Sequence, residues 1–281
     1  MTPRFSISQI TTLPATFEED LRVYREAGAD GIGIWEIKLE EGREKDQLAA
    51  LRASGLESTS AVPAVPSIAP IPIPGPNEPE ARVEAYRAGL RRLAPFEPSA
   101  VVLLTGAGER SDVVEGLRRI AAEARSLGLR IALEPYSRHG GEEWTIVNTI
   151  PQAVELIEEA GVADAVGIQF DVWHLWDSEG LEDHLAAEID RIAGVHVNDV
   201  REPTRSFADR VLPGEGVADV PRILAALDRA GWDGCYDLEI FSDNGAFGNA
   251  FPDSLWDVSP DELARRGLDS CASCWKQTES A

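Results

Sequence analysis

Apolar positions along the chain follow two alternating rhythms. Short runs of period two, or nearly continuous apolar runs, predict strands at FSISQI (5–10), GIGIW (31–35), LESTSAV (56–62) and AVVLLT (100–105). Four more follow at RIALE (130–134), VGIQFD (166–171), GVHVN (194–198) and CYDLEI (235–240). Between them, apolar residues recur three and four apart. That spacing predicts helices over 17–28, 44–55, 79–94, 112–128, 150–161, 181–193, 217–231 and 259–271. Eight strand–helix units in about 250 residues have the size and order of an α/β fold, a single-domain (β/α)8 TIM barrel. An open doubly wound sheet competes, but it would carry a glycine-rich phosphate turn after the first strand, and that turn here reads QITTLPAT. The barrel is expected to span 1–281, with a loop at 241–258 and a C-terminal helix over about 259–275.

One connection breaks the rhythm. VPAVPSIAPIPIPGPNEP (62–79) holds seven prolines in eighteen residues. Proline fixes φ and favours extended chain. Because both neighbours continue the strand–helix alternation, the segment reads as a stiff loop on the C-terminal face of the barrel, where active sites of this fold lie.

Side chains alternate across a strand. In RIALEPY, Ile131 and Leu133 share one face, and Ala132 and Glu134 the other. In GIQFDVWH, Ile168 and Phe170 leave Gly167, Gln169 and Asp171 opposite; in GVHVND, Val195 and Val197 leave His196 and Asn198. In CYDLEIF, Tyr236, Leu238 and Ile240 leave Asp237 and Glu239. The apolar set must meet the outer helices, so the polar set points into the barrel. Glu134, Asp171, His196 and Glu239 therefore end successive strands about 4.8 Å apart, close enough to converge. Three carboxylates so placed repel one another and raise one another's pKa unless a cation neutralises them. Three oxygen-donor residues and an imidazole, with no thiolate, suit one divalent ion: Mn2+ foremost, with Mg2+, Co2+ or Zn2+ as alternatives. His174 reads as either a structural histidine or a substrate-facing group. Trp35 shares strand parity with Gly31 and Gly33; with Trp173 and Trp176, it reads as packing or as pocket wall.

Charge narrows the partners. The net charge of −23 argues against nucleic acid, whose binding rests on Lys and Arg, and against anionic membranes. No apolar run nears the ~20 residues of a membrane-spanning helix. The N-terminus MTPRFSISQI lacks a signal-peptide layout, so a soluble, cytoplasmic protein is expected. Of three cysteines, Cys271 and Cys274 form one CxxC, half of a structural zinc site; they read as reduced thiols in the last helix.

The segments IALEPY, FDVWH, VHVND and DLEIF, with LPGEG after the third, resemble the xylose isomerase-like TIM barrel superfamily, in its sugar phosphate isomerase/epimerase branch. That branch includes ketose 3-epimerases, hydroxypyruvate isomerase and inosose dehydratase. The resemblance runs over roughly 4–270. It implies one divalent metal held by Glu134, Asp171, His196 and Glu239, with Glu134 and Glu239 also moving protons. It assigns substrate contacts to His174, to Arg210 before the PGEG turn, and to Glu143 in the fifth loop, SRHGGEE. An endonuclease branch with three metals needs further histidines after strands 3 and 4 and an Asp-x-His. Here those places read VPAVP, TGAG and Asp209-Arg210-Val211, so that branch does not fit.

A single cation between two glutamates suits proton transfer beside a carbonyl, with charge developing on enediolate oxygens. The expected function is a metal-dependent isomerase or epimerase of a keto-sugar or related polyol. The same chemistry can expel a β-substituent, so the alternative is a lyase: a keto-inositol dehydratase or a 3-keto-glycoside deglycosidase. A metal-free binding or assembly subunit is the third reading. The three tryptophans and the aromatic loop 241–256 lean toward a larger or aromatic substrate. The expected partners are a small carbohydrate, and either further copies of the chain or a second subunit.

Overall fold

The computed structural model describes residues 2–136 and 142–278. Eight parallel strands close into a barrel: β1 (Phe5–Ser8), β2 (Gly31–Trp35), β3 (Glu57–Val62), β4 (Ala100–Leu103), β5 (Ile131–Leu133), β6 (Val166–Asp171), β7 (Ile192–Val197) and, after a small ribbon, β10 (Tyr236–Leu238). Closure comes from β1 pairing with β10, with Phe5 opposite Tyr236 and Ile7 opposite Leu238. The ribbon is β8 (Asp199–Val200) antiparallel to β9 (Arg210–Val211) on the C-terminal face. The period-two reading of short runs does not reveal it.

Helices α1 (Phe17–Ala27), α2 (Glu44–Ser54), α3 (Pro79–Leu93), α4 (Arg110–Leu127) and α5 (Ile150–Ala160) follow the first five strands. The single-turn α6 (Val172–Leu175) and α7 (Leu181–Glu188) follow β6; α8 (Val220–Ala230) and α9 (Pro260–Thr278) complete the outer ring. The helix expected to reach residue 193 is shorter. It ends at Glu188 with a 3-10 turn to Arg191, and Ile192 already belongs to β7. Pairing with β6 decides those two residues, because Ile192 lies opposite Ile168 in the ladder. Local capping agrees with pattern elsewhere. At α1, Thr16 Oγ1 accepts the Glu19 N–H and the Glu19 carboxylate accepts the Thr16 N–H, and the helix stops at Gly28 with φ +91°.

The apolar strand faces meet the helices as alternation requires. Ile7, Ile32, Leu133, Ile168, Phe170 and Val197 are all buried in one cluster. The inward face is small and polar where this fold normally packs branched apolar layers. It carries Ser6, Ser8, Gly33, Ser60, Gln169 and Asp237, all buried. Gly33 makes room for this: a Cβ there would lie 2.5 Å from Asp237 Oδ2 and 2.6 Å from Ser60 Oγ. The proline-rich segment forms the loop between β3 and α3. It is hooked to the end of β4 by Ile68 N–H to Leu104 O (3.1 Å) and Ala69 N–H to Thr105 O (2.8 Å). The buried guanidinium of Arg82 ties it down further, donating to Ser67 Oγ and Pro76 O. Among the described residues no helix is long and apolar enough to cross a membrane.

Candidate metal centre

Strand order places β5, β6, β7 and β10 side by side. In register, Asp171 lies opposite His196 and His196 opposite Asp237. Glu134 and Glu239 stand one residue beyond their strands, still tied to the ladder through their N–H groups on Leu103 O (2.9 Å) and Val197 O (3.0 Å). The four strand ends thus converge, with the two glutamates on the outer strands and Asp171 and His196 between them. All four are buried. His196 Nδ1 lies 3.2 Å from Glu239 Oε2, 3.5 Å from Glu134 Oε1 and 3.7 Å from Asp171 Oδ2.

Asp171 has two tasks. Its Oδ1 caps α6 by accepting the Trp173 N–H (2.7 Å) and also accepts from Asn198 Nδ2 (2.9 Å). Its Oδ2 faces the other carboxylates and accepts from Arg210 Nη1 (2.8 Å), which also donates to Glu239 Oε2 (2.9 Å). Arg210 comes from β9, so the ribbon missed in the sequence is what delivers the guanidinium to the cluster. Its planar group lies 4.8 Å from the Phe241 ring centre and 5.6 Å from that of Trp173.

Protonation follows from this crowding. Burial pushes Glu134 up to about 7; His196 opposes the shift, and the charges of Asp171 and Glu239 add to it. Burial also pushes Asp171 up, but Arg210 and then the two histidines outweigh it and hold its carboxyl well below the usual range. For His196, burial favours the neutral ring, yet Glu239, Asp171 and Glu134 together raise it well above its ordinary value. His174 goes the other way: burial pushes it down to about 3, so its ring is neutral at physiological pH. Its Nε2 lies 3.5 Å from Arg210 Nη2 and 4.0 Å from Asp171 Oδ2, and its ring lies against Tyr136 with centres 3.8 Å apart. Asp237, which alternation points inward, is a fourth buried carboxyl below the cluster. Burial pushes it up to about 6; Ser60 Oγ donates to it (2.5 Å), and His196 Nε2 is 4.0 Å away.

The donor set fits a divalent ion. Single ligand atoms of Asp171, His196 and Glu239 lie within 4.8 Å of one another, as do those of Glu134, Asp171 and His174. Glu134 Oε1 and both His196 ring nitrogens are buried with no hydrogen-bond partner among the described residues. Buried polar atoms are normally satisfied, and oxygen donors with one imidazole suit Mn2+, Mg2+, Co2+ or Zn2+.

Above the cluster opens a cavity whose ≈ 590 Å³ of empty space includes part of the open solvent at its mouth. Glu134, His174, Arg210, Glu239 and Trp35 line it. Trp35 is fixed by its Nε1–H to Ser8 Oγ (2.8 Å) and its N–H to Gln9 Oε1 (3.0 Å). Trp173 is buried behind His174, ring centres 5.0 Å apart, and does not line the cavity. Glu143 is exposed on a one-turn 3-10 helix and does not line it either; its neighbour Trp144 does, stacked on Tyr136 at 5.0 Å and 6°. The first five residues of SRHGGEE, 137–141, lie outside the described residues. Sequence reasoning missed Tyr136, Trp144 and Phe207, and reached Phe247 only as part of the aromatic loop 241–256. Phe207 and Phe247 are set by buried aspartates: Asp209 holds Arg201 and Arg205, and Asp243 accepts the N–H groups of Gly245, Phe247 and Asn249. An aspartate within each aromatic loop was the available signal.

Comparison with known proteins agrees with this architecture. The chain is 30% identical over 132 residues to an inosose isomerase of Halalkalibacterium halodurans, covering 46% of this chain and 45% of that one. It is 32% identical over 160 residues to an inosose dehydratase of Geobacillus thermodenitrificans, covering 51% and 50%. The matched part thus spans about half the length of these curated relatives. A crystal structure of the IolI protein with a bound zinc atom superposes with TM-score 0.79 over 98% of this chain and 99% of that one, at 19% identity. Residues 21–274 match the xylose isomerase-like TIM barrel family, and with its closed eight-stranded barrel the chain belongs to that family.

Proposed function

We propose that the chain is a divalent-metal-dependent isomerase or epimerase that moves a proton beside the carbonyl of a keto-sugar or related polyol. The observation that carries this reading is the convergence of Glu134, Asp171 and Glu239 around His196 at the barrel mouth, with Glu134 Oε1 and the His196 nitrogens making no hydrogen bond among the described residues. These four residues would hold the ion, with Mn2+ the first choice. When bound, such an ion supplies a positive charge that polarises a carbonyl.

The protein's own groups supply the rest. Glu134 and Glu239 rise from the two outer strands of the four and face the cavity from different sides. One carboxylate takes the proton from the carbon beside the carbonyl. The other, in its protonated acid form, gives its proton to the opposite face for epimerisation or to the neighbouring carbon for isomerisation, so that the two groups exchange protonation states. Neutral His174 and cationic Arg210 line the same cavity and would bind hydroxyls or steady a developing oxyanion. The surrounding aromatic side chains exclude water, which strengthens each of these interactions.

A second reading, a lyase that expels a β-substituent after the same proton abstraction, draws support from the similarity to an inosose dehydratase. One experiment separates the two. The Mn2+-loaded protein is incubated in D2O with ketoses, inososes and 3-keto-glycosides and followed by NMR. Deuterium gain without loss of a group supports isomerisation, and release of water or an aglycone supports the lyase. No exchange with any of them refutes both.

A further inference from the structure

We infer that the ligand of this cavity carries, beside its polyol part, a flat apolar substituent of aromatic-ring size; the polyol half of that assignment rests on the metal-site reading above, the apolar half on the cavity walls alone. Polarity in the cavity is sharply divided. Among the described lining residues the charged and imidazole groups are Glu134, His174, Arg210 and Glu239, gathered at the floor. The remaining eleven are aromatic, aliphatic or proline.

The apolar groups come from opposite sides of the barrel. Val62 ends β3, Pro66 and Ile73 follow it, and Leu104 follows β4. Facing them across the ring of strands, Phe207 stands in the loop after β7, and Phe241 and Phe247 follow β10. The aromatic side is continuous: Phe207 lies 4.9 Å from Trp144, 5.4 Å from Phe247 and 6.2 Å from Phe241, and Phe241 lies 5.6 Å from Trp35. Trp35, Phe207, Phe241 and Phe247 are each only half-buried, so ring surface remains open.

A bare sugar can rest one face on an aromatic ring, but its hydroxyls radiate from the rim and each needs a partner when buried. Among the described residues the rim is apolar on both sides apart from the Tyr136 hydroxyl and the Trp144 indole N–H, and the Trp35 indole N–H is already committed to Ser8 Oγ. A polyol filling the whole cavity would leave hydroxyls against hydrocarbon. A planar apolar group between the two walls, with the polyol on the charged floor, satisfies both halves. Apolar clefts with a few convergent polar groups recognise ligands of this divided kind.

The test compares phenyl β-D-glucoside with methyl β-D-glucoside by isothermal titration calorimetry on the Mn2+-treated full chain. Neither probe carries the reacting carbonyl, so binding is read without turnover. The phenyl compound is expected to bind at least about tenfold tighter, equivalent to about 1.4 kcal/mol. Phe207→Ala and Phe247→Ala, both at half-buried positions, should each cut that ratio to about threefold or less. Equal affinity for the two probes, or a ratio unmoved in both variants, overturns the inference. Metal content of the same samples separates the two readings. A phenyl preference that depends on Phe207 and Phe247 in a chain holding no metal upholds the apolar wall while refuting the metal centre.

Discussion

Arg210 and the proposed metal compete for the same two oxygens, and that competition is measurable as stability. Arg210 Nη1 sits 2.8 Å from Asp171 Oδ2 and 2.9 Å from Glu239 Oε2, and all three side chains are buried. Arg210→Met keeps an apolar stem against Phe241 and Trp173 but removes the charge. Breaking a buried pair by removing one partner costs about 3–5 kcal/mol, because the remaining charges stay buried. At roughly 2 °C per kcal/mol for a chain of this size, the metal-free variant should melt about 6–10 °C below the parent. A ligand at a hundred times its Kd returns about 2.7 kcal/mol. With the guanidinium gone, Mn2+ meets two unclaimed carboxylate oxygens, so it should raise the melting temperature of the variant more than that of the parent. Differential scanning calorimetry in chelator, then across a Mn2+ titration, reads both quantities. A variant as stable as the parent in chelator, or a Mn2+ shift no larger than the parent's, would refute the shared-oxygen geometry.

Other consequences are equally direct. Glu239→Gln should fold normally, as circular dichroism will show, yet lower deuterium exchange into substrate by about 10²-fold or more, the usual weight of a general base; unchanged exchange removes Glu239 from proton transfer. In the metal-free protein Glu134 binds its proton more tightly folded than unfolded, its pKa rising from 4.5 to about 7. Its contribution is therefore lost as pH rises through that window, and the slope of melting temperature against pH between 4.5 and 7 should flatten in Glu134→Gln. An unchanged slope in that variant would show that Glu134 titrates normally. Gly33→Ala should cost about 1–3 kcal/mol in chemical denaturation, since its Cβ would meet Asp237, Ser60 and the Ser8 backbone, 3.0 Å away at its Cα; a neutral substitution would mean that the inner face is looser than described.

Much of the site was legible because a strand has only two faces. Ile131 and Leu133, Ile168 and Phe170, and Val195 and Val197 claim the helix side, which leaves Glu134, Asp171 and His196 nowhere to point but inward. The same logic placed Asp237 inward without giving it a task, since its neighbours Ser60 and Gly33 lie on distant strands. Beyond the strand ends parity stops working. Trp173 follows the capping aspartate into α6 and turns behind His174, while Glu143 faces solvent beside the cavity-lining Trp144. The aromatic wall was legible only as Trp35 and a loop rich in aromatics at 241–256: Phe207 and Phe247 take their places from loop paths set by the hydrogen bonds of Asp209 and Asp243, not by any periodicity. At Ile192 and Ala193 a helical pattern ran into residues that β6 recruits as strand, a tertiary preference no local window contains.

The proposed function requires a divalent ion bound by four neighbouring strand ends. A crystal of the chain soaked in Mn2+ and recorded at the manganese absorption edge tests it most directly. One anomalous peak coordinated by Glu134, Asp171, His196 and Glu239 is the predicted result, with Arg210 Nη1 displaced from Asp171. A map without a peak among these side chains, or with the ion held elsewhere on the chain, would contradict it.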